Sequence, residues 1–119
     1  MGLDMFLFSR LPGSEDRTKV AYWRKHPDLH GFIERTFYRG QEEFNCVEQP
    51  LTEQDIDKIQ AAVRARELPL TSGFFFGRSY FEDDTEEERQ RSDDEDIEKL
   101  ERGKDAIRRG LEVFYYAWY

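Results

Sequence analysis

His26 and His30 stand four residues apart, a spacing that puts two imidazoles on one side of a helical turn, where they would suit a metal ion. Pro27 weakens that reading. Proline belongs in the first turn of a helix, so His26 falls at or before the cap and need not share a side with His30. No third ligand has matching spacing, and Cys46 is the single cysteine. No metal and no cofactor is therefore expected. The densest basic and aromatic cluster is Trp23-Arg24-Lys25-His26, with His30 and Arg35 behind it. At a helix start it would hold an anion or a nucleotide, with N–H groups and a guanidinium fork taking the charge and a ring for stacking. In that reading Trp23, Arg24, Lys25 and His30 bind the ligand and Ser72 contributes from a nearby loop. His30 would be the general acid or base, since an ordinary histidine titrates near pH 6.5. The plainer reading is a buried Trp with basic side chains snorkelling around it.

Other catalytic patterns are missing. Thr71-Ser72-Gly73 is followed by no Gly-Lys-Ser/Thr, so it is not a phosphate loop, and Gly-x-Ser-x-Gly is absent. No acidic cluster has the Asp-x-Asp-x-Asp-Gly spacing of a calcium loop. No Ser-His-Asp or Cys-His order stands out, so no catalytic residue is assigned and the balance leans away from an enzyme.

The acids are the second feature. Residues 82–98 hold eleven, Glu82, Asp83, Asp84, Glu86, Glu87, Glu88, Asp93, Asp94, Glu95, Asp96 and Glu98, against Arg89 and Arg91. That segment carries −9, whereas the whole chain carries −8, so the remainder is close to neutral. Such a segment repels a free phosphate backbone and attracts a basic protein surface. Asp83, Asp84, Glu86, Glu87, Glu88, Asp93 and Asp94 are the expected partner-binding residues. A solvated run that only aids solubility is the plain alternative.

These residues need elements to position them. Met5-Phe6-Leu7-Phe8 reads as a buried, non-edge strand. Val20 to Trp23 fits a strand or a first helical turn. Leu29, Phe32, Ile33 and Phe37 share one helical face, which predicts a helix from about Pro27 to Tyr38 with Gly40 as its left-handed stop. Phe44 to Gln49 reads as a strand ended by Pro50. Thr52 and Asp55 form an Asp variant of the capping box, flanked by the staple pair Leu51 and Ile56. Ile59 and Val63 continue that helix to about Arg66. Phe74-Phe75-Phe76 reads as a central strand after the Thr71-Ser72-Gly73 turn. Ser92 and Glu95 make a second capping box, and Ile97, Leu100, Ile107 and Leu111 follow as a stripe that Lys104 interrupts. Gly110 is the expected stop, and the aromatic tail 111–119 reads as a last strand, with a continued helix as the alternative.

The expected fold is α+β: one domain over residues 1–119, with a small, mainly antiparallel sheet of four or five strands and about three helices on it. Segment 82–96 is expected to be partly flexible. The size suits one domain: 119 residues, of which 15% are aromatic and 37% charged. That aromatic content argues against disorder. No apolar run approaches the roughly 20 residues of a membrane span, and a lone thiol suits a reducing cytoplasm.

Several fragments together resemble one group of small bacteriophage and prophage proteins. They are Met1-Gly2-Leu3-Asp4-Met5-Phe6-Leu7, Ala21-Tyr22-Trp23-Arg24-Lys25 with His30 beyond it, Ser72-Gly73-Phe74-Phe75-Phe76-Gly77, and Phe114-Tyr115-Tyr116 near Trp118. The chain departs from the group's pattern at His26-Pro27-Asp28 and in its longer acidic run after Phe81. The resemblance implies a setting in a bacterial host cell and carries no mechanism. The expectation is a binding protein for host takeover or counter-defence, of anti-CRISPR or anti-restriction type, masking a basic nucleic-acid-binding surface. Its partner would be a host or defence-system protein, with no direct nucleic acid and no membrane. A homodimer through the aromatic tail is a further expectation. A nucleotide or small-anion binding protein, or a small enzyme, built on the Trp23-Arg24-Lys25/His30 cluster is the alternative.

Overall fold

In the computed structural model, which describes residues 2–69 and 85–119, the first strand alternates strictly. In β1 (Asp4–Arg10) Met5, Leu7 and Ser9 are buried, while Phe6 and Phe8 face the other way, half-buried. Apolar residues on both faces suit an interior strand, and β1 is interior. The Leu11–Ser14 turn, with Gly13 at φ +84, leads to β2 (Thr18–Arg24). Trp23 thus sits on a strand, not on a helical turn. One extra residue of β2 is accommodated opposite Leu7 and Phe8, a bulge that increases local twist.

Helix α1 (Pro27–Phe37) starts where Pro27 predicts. Its stop differs from expectation. Tyr38 leaves the helix in an extended conformation, and Gly40, without positive φ, lies beneath the Tyr38 ring, where a Cβ would collide with the hydroxyl. Glycine is required there by close approach. The strand expected over 44–49 is also displaced. Residues 44–48 are loop, and β3 is Gln49–Leu51, with Pro50 inside it. The missing N–H of Pro50 is tolerated because β3 is an edge strand.

Helix α2 (Glu53–Arg64) carries the complete capping box. Asp55 N–H donates to Thr52 Oγ1 at 3.1 Å, and Thr52 N–H donates to Asp55 Oδ2 at 3.0 Å. Helix α3 (Glu86–Arg108) overturns the Ser92–Glu95 start. Its cap is Thr85, whose Oγ1 accepts from Glu88 N–H, and Ser92 and Glu95 lie inside the helix. Of the segment expected to be partly flexible, residues 86–96 are therefore helix. Gly110, at φ +90, ends α3 as expected. Its N–H bonds to Ile107 C=O and Leu111 N–H reaches back to Ala106 C=O, the paired bonds of a Schellman stop. The tail is β4 (Glu112–Trp118).

The four strands are ordered β2-β1-β4-β3, every neighbouring pair antiparallel. The fold is α+β, a compact single domain with, among the described residues, three helices and one sheet. Leu3, Met5, Leu7, Trp23, Val113, Tyr115 and Ala117 face the helices and form the core with Leu29, Ile33, Ile56, Ile59 and Leu100. Gly103 lets α3 press close to the sheet: a Cβ there would lie 3.2 Å from both Leu7 Cδ1 and Ile56 Cδ1. The expected strand at Phe74–Phe76, the Thr71-Ser72-Gly73 turn, and Ser72, Glu82, Asp83 and Asp84 lie outside the described residues.

Candidate functional site

The acidic run divides as soon as it becomes a helix. Asp93, Asp96, Leu100, Gly103 and Lys104 recur at spacings of three, four, three and one, which is the inward side of α3, and all five are buried. Asp96 turns toward β2. Its Oδ1 accepts from Trp23 Nε1 at 2.8 Å, and its Oδ2 lies 2.8 Å from His26 Nε2 at the cap of α1. His26 and Asp96 are essentially inaccessible to solvent. A single carboxylate thus ties helix α3 to a strand and to another helix's start. The chain turns sharply to allow it, with Lys25 at φ +53 just before His26.

Asp93, one turn earlier, accepts from Arg66 Nε at 3.2 Å, and Arg89 Nε lies 3.7 Å from its other oxygen. Burial pushes the Asp93 carboxyl above its ordinary value, against the opposing pull of Arg89 and Arg66. Arg66 also grips Glu86 at 2.7 Å, and that hydrogen bond holds the Glu86 carboxyl below its usual range. Lys104, which interrupts the apolar stripe, is buried along its stem and reaches Asp57 at 2.7 Å and Glu101 at 3.4 Å.

The outward side of α3 carries Glu87, Glu88, Asp94, Glu95 and Glu98, all exposed. Glu88 accepts from Thr85 Oγ1, Asp94 from Gln90, and Glu98 pairs with Arg102 at 3.1 Å. Of the expected partner-binding residues, Glu86, Glu87, Glu88 and Asp94 are therefore displayed. Asp93 is turned inward and committed to Arg66 and Arg89, because at its position in the helix the side chain faces α2 and the core.

The proposed ligand cluster is divided between two environments. Trp23 and His30 are buried, while Arg24 and Lys25 are exposed. His30 is enclosed by aromatic rings, stacked on Phe44 at 5.1 Å and edge-on to Tyr119 at 5.6 Å, and its Nδ1 lies 2.7 Å from the Tyr115 hydroxyl. Burial lowers its pKa to about 4, so the imidazole is neutral at pH 7. The same burial raises the Tyr115 hydroxyl well above its ordinary value. A neutral, enclosed imidazole that serves the core is poorly placed for proton transfer to a substrate. Among the described residues, no three His, Cys, Asp or Glu side chains converge as metal ligands. None of the described helices is long and apolar enough to cross a membrane.

Asp96 and Asp93 escape sequence reasoning because they stand among nine other acids. The available signal is periodicity: continued upstream from Leu100, the helical stripe lands on Asp96 and Asp93. No family model matches the chain, and no curated protein or solved structure is significantly similar to it.

Proposed function

We propose that the protein acts by binding, and that the outward side of α3 docks on a basic surface of a partner protein. The observation that carries this reading is the division of acids on one helix. Asp93 and Asp96 face inward and fix the helix, while Glu87, Glu88, Asp94, Glu95 and Glu98 face solvent. Charge displayed on an anchored helix costs less ordering entropy on binding than charge on a loose loop. Complementary charge mainly speeds encounter and selects the partner. Successive turns offer carboxylates about 5.4 Å apart along the helix. A row of that kind would compete with phosphates for a nucleic-acid-binding surface. With the resemblance to small phage proteins, this favours a counter-defence inhibitor of anti-CRISPR or anti-restriction type.

The test is capture of a partner from host lysate by three proteins. They are the wild type, a variant with Glu87→Gln, Glu88→Gln, Asp94→Asn, Glu95→Gln and Glu98→Gln, and the single variant Trp118→Ala. A partner held by the wild type and Trp118→Ala but lost by the five-fold variant is the expected result. The same proteins captured by all three, with folding of the five-fold variant verified by circular dichroism, would sink the reading.

A further inference from the structure

The two faces of the sheet are chemically unlike. One carries the aliphatic core and the helices. The other is paved with aromatic rings from three adjacent strands: Tyr22 of β2, Phe6 and Phe8 of β1, and Phe114 and Tyr116 of β4. Phe6 stacks on Phe8 at 5.1 Å and meets Tyr22 at 5.1 Å, and Phe8 meets Phe114 and Tyr116 at 5.7 and 6.1 Å. Trp118, 59% exposed, continues the Tyr116 row at the end of β4.

Cations lie over this pavement. The Arg17 guanidinium sits 4.2 Å from the Phe8 ring centre and 4.9 Å from that of Tyr116, and Lys19 Nζ lies 5.8 Å from Tyr22. Arg17 and Lys19 are exposed and make no ion pair with the described residues. Arg24 and Lys25 extend the basic row along edge strand β2 and are exposed too. Arg10 differs, since it lies over Phe114 but is paired with Glu48 and Glu112. The other acids nearby are Asp4, which accepts from the Tyr22 hydroxyl at 2.6 Å, and Glu15 and Asp16 in the β1–β2 turn.

We propose that this face binds single-stranded nucleic acid, stacking bases on Phe6, Tyr22, Tyr116 and Trp118 and holding phosphates on Arg17 and Lys19. Phe114 is buried, Phe6, Phe8, Tyr22 and Tyr116 are half-buried and Trp118 is exposed, so the accessible parts of this face are Trp118 and the partly covered rings around it. Flat rings accept any base, because every base has a π-face, and cations beside them track a phosphate backbone. A paired duplex offers no free base faces to such a surface. The acids of α3 do not oppose this. They lie across the sheet and a layer of core, at about one Debye length (~8 Å) or more in physiological salt. The repulsion expected from those acids therefore belongs to the helix side. This inference is independent of docking through α3, so either can fail alone.

The experiment is fluorescence anisotropy of the full chain with labelled oligo-dT and oligo-U of about 15 nucleotides and with a duplex of equal length, at two salt concentrations. The expected result is binding of both single strands in preference to the duplex. With two phosphate contacts, from Arg17 and Lys19, affinity falls roughly sevenfold between about 50 and about 200 mM salt. Arg17→Ala with Lys19→Ala flattens that salt dependence, and Trp118→Ala weakens binding about tenfold. The five-fold α3 variant binds as tightly as the wild type. Absence of binding, equal affinity for the duplex, or indifference to the Arg17/Lys19 variant would each overturn the proposal. Sedimentation supplies the remaining outcome: a dimer dissociated by Trp118→Ala, with no oligonucleotide bound, assigns the face to a second copy instead.

Discussion

Asp94 and Asp96 are two residues apart in the same acidic run, yet they face opposite environments. Removing the Asp96 carboxylate leaves buried Trp23 and His26 groups without their acceptor, so Asp96→Ala should destabilise the fold by about 3 kcal/mol. Asp94→Ala, on the exposed side, should change stability by less than about 0.5 kcal/mol. Urea denaturation of the two variants separates them. His30 gives a second prediction at this scale. Its folded pKa of about 4 lies below the unfolded value near 6.5, so the unfolded chain binds the extra proton as pH falls. Stability is fully present above pH 6.5 and is lost between there and about 4. From pH 7.5 to pH 5 the loss due to His30 should be about 2 kcal/mol. Comparing that pH dependence in wild type and His30→Gln isolates it, and NMR should find the imidazole still neutral at pH 5.5. Pro27 alone shows that His26 need not share the face of His30, and a cap or partly buried polar role is the default reading of both. Their complete burial and their partners are not legible locally, because Tyr115 and Asp96 arrive from distant parts of the chain.

At the scale of elements, helix starts carry the most informative difference. Thr85-Glu86-Glu87-Glu88 and Ser92-Asp93-Asp94-Glu95 both satisfy the Ser/Thr-x-x-Glu pattern, and local chemistry does not choose between them. Tertiary contacts do. Arg66 bridges Glu86 and Asp93 from the end of α2, which holds the first two turns of α3 in helical form. Thr85→Ala should therefore cost about 1 kcal/mol, and Ser92→Ala less than about 0.5 kcal/mol. Amide exchange should follow suit, with protection at 89–92 weakened only by the Thr85 change. Thr52 had no such competitor, and its box is readable directly. Gly110 was equally legible, and for a local reason: α3 must stop in a left-handed residue before β4 begins. Gly110→Ala should cost about 1 kcal/mol, all of it conformational, because nothing lies within 4 Å of the added Cβ. The strand expected at 44–49 does not form there, and pairing begins only at Gln49. Phe44 is buried, but as a lid on His30 and Tyr115 rather than in a ladder.

At the scale of the whole molecule, charge and aromaticity are segregated among the described residues, with the acids of α3 on the helix side and a row of rings with bases on the other face of the sheet. The sequence already separates them, since the acids of α3 are densest in 86–98 and the bases of β2 lie in 17–25. That they occupy opposite faces is topology, set by which side of the sheet α3 covers. The α+β class, the helix count and the antiparallel pairing were legible from periodicity. The order of strands was not, and it alters the meaning of the tail. β4 lies between β1 and β3 and is paired on both sides over Val113–Tyr115, so over those residues it is not the edge strand that an aromatic tail suggests. The central position of β4 also has a consequence for biosynthesis. β1 is followed directly by its neighbour β2, but its other neighbour, β4, is encoded roughly a hundred residues later. At about 5–20 residues per second, one side of that strand waits some 5–20 seconds with only water for its amides and carbonyls. Until β4 arrives, the hairpin presents an unpaired strand edge, the kind of surface that invites pairing with another chain.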